Sequence, residues 1–101
     1  MNVVWVAWAR RDLERIHAQI ARDSLPRALA VVQAIVTAIQ RLAEFPGLGR
    51  PGRKEKTREL VVTRQPYIVV YREQGDRVII LRILHQSQEG PVLAKLQPAA
   101  I

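Results

Sequence analysis

Between positions 57 and 85 the apolar residues fall into three runs, 59–63, 67–72 and 78–84, each edged by basic side chains. The separators are short: Arg64-Gln65-Pro66, then Glu73-Gln74-Gly75-Asp76. A parallel crossover takes about a dozen residues or more, so these spacings predict hairpins and one antiparallel meander. Strict alternation assigns the faces. In the first run Arg58, Leu60, Val62 and Arg64 share a side opposite Glu59, Val61 and Thr63. In the second, Tyr67, Val69 and Tyr71 oppose Ile68, Val70 and Arg72. In the third, Val78, Ile80, Arg82 and Leu84 oppose Ile79, Leu81, Ile83 and His85, both faces are apolar, and an interior strand is expected.

The first half of the chain changes period. Residues 2–7 are rich in Val and Trp and too short for a helix, which predicts a strand pairing with the meander. From position 10, Leu13, Ile16 and Ile20 recur at helical steps, with Arg10, Arg11, Glu14, Arg15 and Arg22 on other faces, predicting an amphipathic helix over 10–22. Asp23-Ser24-Leu25-Pro26 interrupts it. Either Asp23 or Ser24 can cap a second helix whose first turn tolerates Pro26, and Leu29, Val32, Ile35, Val36, Ile39, Leu42 and Ala43 carry the spacing to about Glu44. Two prolines and three glycines within 45–52 then end it. The expected fold is α+β: an N-terminal strand and a helical hairpin packed on an antiparallel sheet of about four strands.

With 101 residues, 49% of them hydrophobic, the chain supports one modest core. Residues 1–101 are therefore expected to form a single domain, with 86–101 as a tail that packs locally or meets a partner. Cysteine is absent, which excludes disulfides and thiolate metal sites and fits a reducing cytoplasm. No metal or other cofactor is expected. No apolar run approaches roughly 18 residues and no charged region precedes Val3-Val4-Trp5, so neither a membrane span nor a secretory signal is expected.

Charge changes the picture most. The net charge is +7, the pI is near 11.1, and Arg50, Arg53, Lys54, Lys56, Arg58 and Arg64 crowd one segment against Glu55 and Glu59. Such a field attracts nucleic acid, a ribosome or an acidic protein; the alternative is a solvated surface that keeps the chain soluble. Arg82, inside an apolar run, must reach solvent, a carboxylate such as Glu59 or Glu73, or a ligand phosphate. Tyr71 is either a packing residue or an acid–base group. His85 has the pKa range for proton transfer, or is a strand-end histidine bonded to a neighbour; His17 lies among solvated positions. Phosphate loops, paired carboxylates, nucleophile elbows and metal spacings are all missing from the sequence.

Trp5, Ala9, Asp12-Leu13, Ile16, Ile20-Ala21, Pro26, Arg41-Leu42, Phe45-Pro46, Gly49-Arg50, Thr57-Arg58-Glu59-Leu60, Pro66-Tyr67-Ile68-Val69-Val70-Tyr71-Arg72 and Ile80-Leu81-Arg82-Ile83-Leu84-His85 stand in an order and spacing that resembles the RelE/ParE superfamily of type II toxin–antitoxin toxins, and more closely its ParE-like branch. The resemblance implies a toxin with a cognate acidic antitoxin. Its ParE-like members poison DNA gyrase; its RelE-like members cut messenger RNA in the ribosomal A site with basic side chains and a Tyr or His. Arg58, Arg82 and His85 match the sheet positions of that chemistry, with Tyr71 as a further candidate. Residues 86–91, however, lack the lysines and arginines typical of the ribonucleases, which favours gyrase. Arg50, Arg53, Lys54, Lys56, Arg58, Arg64 and Arg82 are the expected target-binding or anion-binding residues. A ribosome-dependent endoribonuclease is the alternative, and a nucleic-acid or protein binding module without chemistry the next.

Overall fold

The fold is seen in a computed structural model in which residues 1–88 are described. The chain runs β1 (Asn2–Trp5), α1 (Ala7–Ala21), α2 (Leu25–Glu44), β2 (Arg50–Pro51), β3 (Arg58–Val61), β4 (Tyr67–Gln74) and β5 (Arg77–His85), with short 3-10 turns at Pro46–Leu48 and Gln86–Gln88. The sheet order is β1-β5-β4-β3-β2. The meander is antiparallel as expected, and Arg50–Pro51 adds a fifth, very short strand. The antiparallel expectation fails at one edge: β1 pairs with β5 in parallel, Val3 beside Val78 and Trp5 beside Ile80. The helical hairpin supplies the crossover that parallel pairing requires.

α1 begins three residues earlier than its apolar spacing indicates, directly after Val6. Ser24 is the cap of α2, its hydroxyl accepting the Arg27 N–H at 3.2 Å, with Pro26 in the first turn. The buried stripe of α2 is Ala28, Val31, Ile35, Ile39 and Leu42, whereas Leu29 lies exposed. This stripe packs on Val69, Tyr71, Val78, Ile80 and Ile83 of the sheet. By length and composition α2 could cross a membrane, with a mean hydropathy of 1.2, although Arg27, Gln33, Gln40 and Arg41 interrupt it; here its apolar stripe serves as the core helix.

A bulge resets the alternation of β5. Val70 pairs with Arg82 and Tyr71 with Ile80, so Leu81 has no opposite residue. Beyond it the predicted faces invert: Ile83 joins Val78 and Ile80 on the helix side, while Leu84 joins Ile79, Leu81, Ile68 and Val70 in a second cluster on the other face. The expectation for the tail, apart from the turn at Gln86–Gln88, lies outside the described residues.

Candidate functional site

Three groups of polar side chains sit on this frame. The first is the basic loop after α2. Glu59 is buried at its centre and accepts from Arg50 Nη2 at 3.2 Å and from the Arg53 N–H at 3.1 Å, so part of the loop's positive charge is consumed in folding it. Thr57 donates to the Lys54 carbonyl at 2.6 Å, and Gly52 N–H to the Thr57 carbonyl at 2.8 Å. Arg58 donates to the Gly49 carbonyl at 2.9 Å and lies 3.7 Å from Glu73. Tyr71 is fully buried; its hydroxyl donates to the Pro46 carbonyl at 2.7 Å and accepts the Gly49 N–H at 2.8 Å. Burial pushes that hydroxyl above its ordinary value of 10.0, against the pull of the Gly49 N–H and the Arg58 charge. Tyr71 is thus a strut for the loop. Arg64 stands in the turn after β3 with φ 64, off the strand face it was expected to share with Arg58.

The second group joins α1 to β5. β1 stops beside Ile80 while β5 continues to His85, which leaves the far half of β5 without a neighbour on that side. Asp12 of α1 reaches into the gap. Its buried carboxylate accepts the Ile83 N–H at 2.9 Å and two bonds from Arg82, Nε at 2.7 Å and Nη2 at 3.0 Å. Arg82 therefore pairs with Asp12, not with Glu59 or Glu73. The Arg82 guanidinium also lies 5.2 Å from the ring centre of Trp8, and that of Arg11 5.9 Å from it. Trp8 is 57% exposed, more than any other large apolar side chain described.

The third group is a cleft of about 460 Å³ at the end of the same gap, lined among others by Arg15, Gln19, Arg27, Tyr67, His85 and Gln88. His85 stands edge-on to Tyr67, ring centres 5.5 Å apart, and its Nδ1 sits 2.9 Å from the Ser87 hydroxyl and accepts the Ser87 N–H at 3.1 Å. Gln88 takes the His85 N–H at 3.3 Å. The structure brings Arg58 beside Tyr71 but not beside His85: along β4 their partners are Tyr71 and Tyr67, four positions or about 13 Å apart. Asp12 and Trp8 were missed by sequence reasoning. A lone Asp in the apolar stripe with Ala9 and Ile16, and a lone Arg in an apolar strand, are the matched signal that points to their pairing.

Residues 3–90 match the family described as ParE toxin of type II toxin-antitoxin system, parDE. The chain belongs to this ParE toxin family. It is 46% identical over 90 residues to the Y4kP protein of Sinorhizobium fredii, covering 89% of this chain and 93% of that one. It is 36% identical over 87 residues to Toxin RelE2 of Caulobacter vibrioides, covering 86% and 97%. The solved chromosomal ParDE TA system from P. aeruginosa contains a chain with the same fold, at TM-score 0.76 and 32% identity over 84% of this chain and 95% of that one. Five strands carrying a helical hairpin are thus the architecture of this ParE-family toxin.

Proposed function

We propose that this ParE-family toxin acts on DNA gyrase by protein contact, with no bond-breaking step of its own, and is held inactive by an acidic antitoxin. The observation that carries this reading is the dispersal of the groups an RNA-cleaving site needs. Phosphodiester cleavage requires a base, an acid and phosphate-binding cations within hydrogen-bond reach of one substrate. Here Tyr71 is buried with its hydroxyl doubly bonded, Arg82 is forked onto Asp12, and the β4 partners of Arg58 and His85 stand four positions apart. The antitoxin is supported by the chain's net charge of +7 and by its likeness to a chain from a ParDE system. The name RelE2 on one relative keeps a ribosome-dependent endoribonuclease as the competing reading.

Purified protein should stall gyrase on DNA as cleavable complexes while leaving transcripts intact on translating ribosomes. His85→Ala should leave growth inhibition largely unchanged. Ribosome-dependent cutting by the purified protein, lost in His85→Ala, would overturn the gyrase reading and restore the ribonuclease.

A further inference from the structure

Trp8, Arg11 and Arg15 recur at helical steps of three and four, so they line one side of α1, next to the gap where β5 outruns β1. At one end of this rail stands the exposed Trp8, held against Arg82, which Asp12 fixes in turn. At the other end Arg15 opens onto the cleft with Arg27, Tyr67 and His85. An exposed tryptophan among arginines is the composition of a binding hot spot, and a ring already packed against a guanidinium has less freedom to lose when covered. We propose that this rail and cleft are the seat of an acidic, partly apolar segment of the antitoxin, with Trp8 as its apolar anchor and Arg11, Arg15 and Arg27 as its carboxylate partners. This rests on the antitoxin reading above.

Charge selects the occupant. Asp12 is neutralised chiefly by Arg82, with Arg15 3.8 Å from it, and Asp23 lines the cleft beside Arg27, so the exposed cations exceed the acids by few. A peptide with two or three carboxylates is matched by that balance. A nucleic-acid strand, with a charge on every phosphate and affinity built on releasing its counterions, is not.

The probe is the candidate antitoxin, the product of whichever short acidic reading frame is found beside this gene, titrated into the full chain. Trp8→Ala, Arg11→Glu and Arg15→Gln replace exposed side chains and should fold normally, checked by their melting curves. Each should weaken the complex about tenfold or more, the usual scale of a hot-spot loss, whereas the distant charge reversal Arg77→Glu should change it by less than about threefold. Wild-type affinity in all three folded rail variants would overturn the proposal and leave the antitoxin reading standing. Failure of the wild-type chain to bind the probe at all would overturn both. Two further arms assign the rail elsewhere: tight binding of a 12-nucleotide oligouridylate lost in Trp8→Ala, or self-association of the free chain lost in the same variant. Either result would overturn the antitoxin as occupant.

Discussion

Tyr71 joins two segments that the sequence keeps 22 to 25 residues apart, since its single hydroxyl serves both Pro46 and Gly49. Removing that oxygen strands a buried N–H and a carbonyl, so Tyr71→Phe should destabilise by about 1–3 kcal/mol in urea titration. Gly49 is fixed by the same contact. A Cβ there would lie 2.7 Å from the Tyr71 hydroxyl and 3.0 Å from the Glu59 carbonyl, so Gly49→Ala should cost about as much, by overpacking. The hydroxyl's raised pKa has a sign that can be checked. The folded state holds the proton more firmly than the unfolded chain, so this stability is complete below the unfolded value near 10.0 and is lost as pH rises through the higher folded value. Stability should begin to fall as pH rises past about 10.0 in the wild type and fall less steeply in Tyr71→Phe. In the sequence Tyr71 showed its face and hid its partners: alternation placed it with Tyr67 and Val69, but nothing local indicates a bond to a loop so distant.

Between elements, α1 is joined to β5 by Asp12, which completes the sheet edge where β1 ends. Asp12→Ala leaves a guanidinium whose side chain is 13% exposed without its carboxylate, along with the Ile83 N–H, and should cost about 3–5 kcal/mol. Arg82→Met should cost less, because the carboxylate keeps the Ile83 N–H and Arg15 lies 3.8 Å away. Equal losses in denaturant titration would remove this asymmetry and with it the edge-capping role of Asp12. Helix α2 depends on burial instead. Ile39→Ala should destabilise by about 2–5 kcal/mol, the range for truncating an enclosed aliphatic side chain. At this scale the meander and both helices were legible, because short separators and helical spacing are local properties of the chain. The parallel pairing of β1, the bulge at Leu81 and the Asp12–Arg82 fork were not, since each depends on residues about 70 or more positions apart or on a register set by the partner strand.

Across the whole molecule the net charge of +7 acts before any contact forms. Part of it is absorbed internally, Arg50 by Glu59 and Arg82 by Asp12, while Arg11, Arg15, Arg27 and Arg64 are exposed. Exposed charge of one sign speeds the encounter with an acidic partner and is screened beyond about 8–10 Å at physiological salt, whereas packing on an anchor such as Trp8 governs how slowly the complex parts. Stopped-flow association with the candidate antitoxin should therefore slow by about tenfold or more as salt rises from low to several hundred millimolar. Dissociation should change much less over the same range. Trp8→Ala should show the converse, a faster dissociation with an association rate close to that of the wild type, because it removes contact area and leaves the field intact. A salt-independent association rate would remove long-range charge from the account of partner capture and leave contact alone to explain it.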